Sequence, residues 1–244
     1  MKLFFAAFLT AIFAAGCTHE AVEPTSAPIS PDTKLCSSQT TIGERCAIAP
    51  TKVHPTQFSL GLKDVIKKRK KIANSKINTM ELTAYLTKNT PPAVKGPKNI
   101  FYIVDGHHRT RAMAEESLTY IYIEVKKDYS AMSQTDFWNQ MKKDNYVWLY
   151  NEKGEGPIDP AKIPASISML PDDPYRSLAE DALEHGGFSG TDTLYQQFIW
   201  ANYLRPLIPL DKVLNNYDEA VKDAVEFAHD AAAQDLPGYK KKAG

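Results

Sequence analysis

Two apolar runs, 100–104 and 120–125, stand fifteen residues apart and leave little choice about the centre of the fold. Ile100-Phe101-Tyr102-Ile103-Val104 and Tyr120-Ile121-Tyr122-Ile123-Glu124-Val125 are almost continuous stretches of β-branched and aromatic residues. That is the pattern of strands covered on both faces. The spacer between them holds a turn and a helix over 110–116. Upstream, Val53-His54-Pro55-Thr56-Gln57-Phe58 reads as a short strand or extended segment entering a helix, on which Leu62, Val65, Ile66, Arg69 and Ile72 recur at helical spacing. A second helix is expected over 78–89, with Thr79 as its cap, Pro91-Pro92 as its stop and 95–99 as the following turn. Helix, turn, strand, helix, strand is the order of a small mixed α/β core, and the fold class expected is α+β.

The remainder reads as mostly helical. Phe137, Trp138 and Met141 share one side of a helix over 136–143. A helix over 174–185 opens after Asp172-Asp173 and closes at Gly186-Gly187, residue types suited to those two ends. Leu194, Phe198, Ala201 and Leu204 mark another, stopped by Pro206. The last runs through Tyr217, Ala220, Val221, Ala224, Val225, Ala228 and Ala231 with a 3.6-residue period. The organisation expected is a core over 34–128, a helical extension over 129–236 packed on it, and a frayed basic tail over 237–244.

The first 33 residues are of a different kind. Met1-Lys2 precedes the apolar run 3–13, which ends in Ala14-Ala15-Gly16-Cys17. A basic start, an apolar middle and small residues at the end describe a secretory signal, and the run is too short to span a bilayer. The residues before Cys17 resemble a bacterial lipobox, which implies cleavage there and lipidation of Cys17; an ordinary signal that leaves a free thiol is the alternative. Residues 18–33 carry Pro24, Pro28 and Pro31 among Thr, Ser, Ala and Glu, and read as a tether. Thr18, where Asp would retain a lipoprotein in the inner membrane, resembles an outer-membrane sorting signal. The localisation expected is therefore export, with the lipid anchor in the outer membrane and the chain facing the periplasm. In that oxidising compartment Cys36 and Cys46 are expected to close a disulfide, two buried thiols being the alternative. No His lies at the spacing of a zinc finger.

Composition narrows the function classes. With 43% hydrophobic and 24% charged residues, the 244-residue chain is neither a disordered polyampholyte nor a polytopic membrane protein. Twenty-nine basic residues balance 29 acidic ones, so no global positive field draws it to nucleic acid. Any such contact needs a local patch, and Lys67-Lys68-Arg69-Lys70-Lys71 is the concentrated one. It reads either as a solvated helix face or as a surface for phosphates.

The stretch with chemistry in it is Asp105-Gly106-His107-His108-Arg109-Thr110-Arg111. It joins a buried strand to a helix start. Gly106 permits a sharp turn at positive φ. The next backbone amides, free at a helix N-terminus and helped by its dipole, make an anion site. Arg109 and Arg111 add forked donors suited to phosphate oxygens. One of His107 and His108 is expected to face the ligand and donate or move a proton, while the other packs. Asp105 can orient a His, cap the helix or help hold a metal ion. The plainer reading makes Asp105 a cap and pairs Arg109 with Glu115 or Glu116. There is no Lys-Ser/Thr phosphate loop and no Gly-x-Ser-x-Gly elbow.

The turn Asp105-Gly106-His107-His108-Arg109 resembles the signature of the ParB/sulfiredoxin superfamily, and the chain is most similar to its ParB-like nuclease family. Pro55-Thr56-Gln57, Phe137-Trp138, Val147-Trp148, the run from Asp172 to Ala179, Gly186-Gly187-Phe188 and the run from Phe198 to Arg205 carry the likeness in one order, over 46–206. The resemblance implies a phosphate-binding turn of Gly106, His108, Arg109 and Arg111. It implies catalytic roles among His108, His107, Asp105 and Arg109, and makes Gln57, Asp172, Asp173 and Arg176 further candidates. It implies a phosphate-containing ligand, nucleotide or nucleic acid; the cofactor is left open, a divalent Mg or Mn ion with Asp105 as a ligand being one option for phosphoester hydrolysis.

The activity implied is that of a nuclease or phosphodiesterase outside the cytoplasm. The alternatives are a non-catalytic, lipid-anchored binding protein and a nucleotide-dependent serine-type kinase, which the scarcity of nucleoside triphosphate outside the cytoplasm disfavours. Sulfiredoxin chemistry needs a Cys beside the turn, where Asp105 and Gly106 stand. No helix-turn-helix of the chromosome-partitioning proteins is recognisable. The oligomeric state has no signal in the sequence.

Overall fold

The computed structural model describes residues 34–76 and 79–241. The expected signal, the expected lipidation of Cys17 and the expected tether fall on residues outside those described. At the centre is a four-stranded sheet in the order β1-β4-β2-β3, with β1 Arg45–Ile48, β2 Pro92–Lys95, β3 Phe101–Ile103 and β4 Ile121–Asp128. β1 and β4 run antiparallel with Cys46 opposite Ile123, β2 and β4 run parallel, and β2 and β3 are antiparallel with Ala93 opposite Ile103. The extended segment expected over 53–58 lies beside β3, where His54 bridges Tyr102.

The two expected strands are β3 and β4. Two short strands carried no readable signal. β2, Pro-Ala-Val-Lys, follows directly on the helix-stopping prolines, and β1, Arg-Cys-Ala-Ile, is four residues long with no alternation. Only the neighbouring strands' hydrogen bonds make them strands. Cys36 and Cys46 are joined by a disulfide that ties the chain ahead of β1 to the sheet edge.

One face of the sheet is covered by α1 Leu62–Ser75, α2 Thr79–Lys88 and α3 His107–Glu115, with Ile72, Leu82, Met113 and Ile123 in the shared core. On the other face α4 Gln134–Lys143 sets Phe137, Trp138 and Met141 against Val94 and Tyr102. Ser133 caps α4 by accepting from the Asp136 amide, so the helix begins before the expected Asp136. α2 begins at Thr79; residues 77–78 before it lie outside the described residues, and so does the expected capping by Thr79.

The extension is α5 Pro174–Glu184, α6 Gln196–Leu204, α7 Leu210–Asn215 and α8 Tyr217–Ala228 around a second core holding Trp200, Leu178 and Phe188. α5 packs on α1, where Lys67 pairs with Asp181 and Glu184. Of the tail expected to fray, residues 237–241 are described, and their start is held. Gly238 O accepts from the Ser189 amide at 2.7 Å, and Pro237 O accepts from Trp200 Nε1 at 2.9 Å. Backbone pairing outweighs the basic composition of that stretch. No helix among the described residues is long and apolar enough to cross a membrane.

Candidate phosphate-binding site

β3 ends at Ile103, and three residues later Gly106 turns the chain with φ 76°, a left-handed conformation that favours glycine. The helix then starts at His107, three residues before the expected Thr110. Both histidines therefore sit in the first helical turn. The first helical bond runs from the Thr110 amide to Gly106 O at 2.9 Å. The amides of His107, His108 and Arg109 precede it and meet no acceptor among the described residues. Three N–H groups and the positive end of the dipole thus converge at the C-terminal edge of β3.

This turn floors a cleft of about 240 Å³. α1 contributes Asp64 and Lys68 to its wall, α5 contributes Arg176 and Glu180, and Tyr195 and Phe198 close it from the start of α6. Arg109 lines the cleft, has one long contact to Asn89 O at 3.5 Å and forms no ion pair among the described residues. The pairing of Arg109 with Glu115 or Glu116 does not occur. Arg176 is 7% exposed; its Nη1 donates to Glu180 Oε2 at 2.9 Å, while its buried Nε has no partner. Lys68 Nζ is 2.5 Å from Asp64 Oδ1.

Several expected site residues lie elsewhere or do other work. Arg111 does not line the cleft. Its Nε pairs with Glu115 at 2.5 Å and its Nη1 donates to Ile167 O and Ser168 O at 3.1 and 2.7 Å, stitching α3 to the 3-10 turn Ile167–Met169. Asp172 accepts from the Leu62 amide at 2.7 Å at the start of α1. Asp173 caps α5 through the Tyr175 and Arg176 amides and pairs with Arg205 at 2.9 Å. Burial pushes both carboxyls above the usual range, and neither reaches the cleft.

Asp105 is exposed beside the turn and accepts from the Gly106 amide at 2.6 Å, while the N-cap position itself is Gly106. Gln57 lines the cleft with its Nε2 on Ser59 O at 2.6 Å. The basic run of α1 is not an open phosphate surface, because Lys67, Lys68 and Arg69 are each paired with carboxylates and only Lys70 and Lys71 are exposed.

Both histidines are buried, 3% and 8% exposed, and both line the cleft. His107 Nε2 accepts from the Thr56 amide at 3.0 Å, and His108 Nε2 accepts from the Gly61 amide at 2.9 Å. These bonds fasten the helix start to the extended segment 54–61. Gly61 also lets α1 begin against α5, since a Cβ there would lie 2.8 Å from Ser177 N. With Nε2 accepting, each neutral ring carries its hydrogen on Nδ1. The Nδ1 of His108 is 3.9 Å from Asp64 Oδ2, on the wall of the cleft.

The model of the family described as "Putative ParB-like nuclease" matches residues 46–206, about two thirds of the chain. The chain belongs to that family. The crystal structure of protein Atu1540 from Agrobacterium tumefaciens is similar to it, with a TM-score of 0.73 and 29% identity, over 82% of this chain and 100% of that one. No curated protein matches.

In this ParB-like nuclease chain, burial dominates the histidine ionisation. It pushes His107 down to about 4 against the pull of Asp105, and it pushes His108 well below its ordinary value, with Arg176 and Lys68 acting in the same direction. Both rings are neutral at pH 7, and each has its Nε2 engaged by a backbone amide.

The unfolded chain takes up these protons near pH ~6.5 and the folded chain does so only at much lower pH. Stability is full above pH ~6.5 and falls as the pH drops from there toward the folded value of about 4. Urea midpoints should therefore fall between pH 7.5 and pH 5, and His107→Gln should flatten that slope; equal slopes for both proteins would refute the assignment.

The donor set does not suit a divalent ion. Asp105 is the one carboxylate at the turn that is not in an ion pair, Asp64 and Glu180 are bound to Lys68 and Arg176, and both Nε2 lone pairs are spent on backbone amides. Among the described residues, no three His, Cys, Asp or Glu side chains are grouped to hold a metal.

Tyr195, Asp64 and Glu180 were not singled out in the sequence. Asp64 had a signal, being an acid close to the apolar stripe of a lysine-rich helix. Tyr195 had none, because a left-handed tyrosine leaves no local pattern.

Proposed function

We propose that this protein binds a phosphate-containing ligand at the start of α3 and cleaves phosphoester bonds as a nuclease or phosphodiesterase outside the cytoplasm. One observation carries the reading: among the described residues Arg109 lacks an acidic partner and the buried Nε of Arg176 is unbonded, beside three amides with no acceptor. An oxyanion would satisfy all of these groups at once. As a phosphoryl centre gains charge toward the transition state, the fixed amides and the two guanidinium groups stabilise it without having to reorganise. His108 presents a neutral Nδ1–H near Asp64, a hydrogen-bond donor to the leaving oxygen as it gains charge, while the attacking water passes its proton to solvent. Family membership supports a nuclease-type function at that coarse level.

The test incubates the protein with single- and double-stranded DNA and RNA, with EDTA and with Mg²⁺ or Mn²⁺. Cleavage is expected to fall about 100-fold or more in His108→Ala, in the range for loss of one hydrogen-bond donor that acts in the transition state. Cleavage unchanged by His108→Ala and Arg109→Ala would remove the mechanism.

A second reading, a binding protein without turnover, is favoured by the engagement of both histidine Nε2 atoms with backbone amides. Saturable phosphate binding with no cleavage of any substrate would support it.

The location outside the cytoplasm rests on the leader and on Cys17, and a Cys36–Cys46 disulfide is compatible with an oxidising compartment. Cys17→Ser should shift the protein from the membrane fraction to the soluble periplasmic fraction. Unaltered sedimentation with membranes would contradict lipid anchoring.

A further inference from the structure

We infer that the loop 36–44 and the turn Pro97–Asn99 beside it form a docking face for an anionic phospholipid surface, which points the cleft away from the bilayer. This rests on the lipid anchoring proposed above and is independent of the phosphate reading. The described residues start at Lys34, and residues 18–33 separate it from Cys17. A segment of that length reaches at most about 60 Å, so an anchor alone leaves the body free to present any face.

The face next to the point of attachment carries exposed aliphatic side chains, Leu35 at 57% and Ile42 at 61%. The loop that presents Ile42 is pinned. Its base is tied by the disulfide, and the Gly43 amide donates to Val125 O at 2.8 Å. The buried Lys95 donates to Ser38 O and Thr40 O at 3.1 and 2.8 Å. Single exposed aliphatic residues are ordinary, but here they stand among cations. The nearby carboxylates are taken, Glu44 by Lys34, Asp128 by Lys95 and Glu124 by Lys126. Arg45, Lys98 and Lys127 are exposed and form no ion pair among the described residues. Lys98 belongs to the turn whose Asn99 lines one groove with Ser37 and Ser38.

An apolar tip inside a positive surplus suits anionic headgroups above an acyl boundary. The other exposed leucines lack that surplus. Leu214 is 59% exposed, yet α7 carries Asp211 and pairs Lys212 with Asp223. The docking face and the cleft also lie at opposite ends of β2. Lys95 ends that strand, while Pro91 precedes it and would touch a Cβ on Gly106 at 3.4 Å. A docked body therefore opens its cleft to the aqueous side. So small a face binds weakly, and it orients an anchored chain without retaining a free one.

The experiment floats the Cys17→Ser chain with vesicles at millimolar lipid, which reads the face without the anchor. Partition into vesicles of mixed phosphatidylglycerol and phosphatidylcholine is expected to exceed that into phosphatidylcholine alone by about tenfold or more, and to fall with added salt. Ile42→Glu, and Arg45→Glu combined with Lys98→Glu, should each cut it about tenfold or more. Leu214→Glu should leave it unchanged. A thermal melt checks that the variants are folded.

Equal partition into both vesicles, or none into either, would overturn the docking face and leave lipid anchoring to its own fractionation test. Undiminished partition in a folded Ile42→Glu, or an equal loss in Leu214→Glu, would also overturn it. On the lipidated chain, a fluorophore on Lys127→Cys should be quenched by a brominated lipid and one on Gln197→Cys, in the cleft wall, should not; any other pattern would overturn the orientation.

Discussion

Arg109→Ala is expected to weaken binding of inorganic phosphate about 10- to 100-fold, the equivalent of one charge-assisted hydrogen bond of ~1.5–3 kcal/mol. Arg109 has no carboxylate to release, so its removal subtracts only its contact with the ligand. Arg176→Leu should cost more. It deletes the second guanidinium and leaves Glu180, now unpaired, on the wall of an anion site. Adding Glu180→Gln to Arg176→Leu should recover part of that loss, because it removes the repulsion. Arg111→Ala is the control, since Arg111 holds α3 to carbonyls at Ile167 and Ser168 and should change stability with little change in phosphate affinity. Calorimetry on the four variants measures this. Wild-type affinity in both Arg109→Ala and Arg176→Leu would refute an anion site at this turn.

Trp200→Ala is expected to destabilise the protein by about 3–5 kcal/mol, the range for emptying a large aromatic site in a core. Trp200 is fully buried and stacks on Phe188 at 4.1 Å and 8°. Its Nε1 donates to Pro237 O, one of the two side-chain bonds that hold the tail against α6. Truncation opens a cavity between α5, α6 and α8 and removes that bond. Trp200→Phe keeps most of the ring and should lose clearly less. Urea unfolding at pH 7.5 is the measurement, and a loss under about 1 kcal/mol would mean that this second core can collapse around the gap. The same core positions α5 and hence Arg176, so the phosphate affinity of Trp200→Ala should also drop as it approaches its unfolding midpoint.

Much of the fold was legible because its signals are local. The aromatic and β-branched runs became β3 and β4, and Asp173 with Gly186 bounded α5. Elements without local signal escaped. β1 and β2 are four residues each and exist through pairing with β4, while α7 is six residues between Pro209 and Asn216. The apolar stripe of α1 was only partly right, since Ile66 is half exposed and Asp64 is buried beside His108 and Lys68. Hydropathy alone does not foresee an acid drawn inward by partners from other elements.

The amino-acid sequence by itself determined the strand, the left-handed glycine and the helix start behind the candidate site, because these follow from short-range sterics and backbone hydrogen bonding. Which cation faces the cleft was decided only by the tertiary structure. Arg109 and Arg111 look alike in the sequence, yet two residues on a helix of 3.6 residues per turn are rotated by about 200° from each other. That rotation leaves Arg109 in the cleft and sends Arg111 to the carbonyls at 167–168. Packing likewise spent both histidine Nε2 atoms on the amides of Thr56 and Gly61. It also brought Arg176, Tyr195 and Phe198 from the extension to a turn some 70 or more residues earlier in the chain.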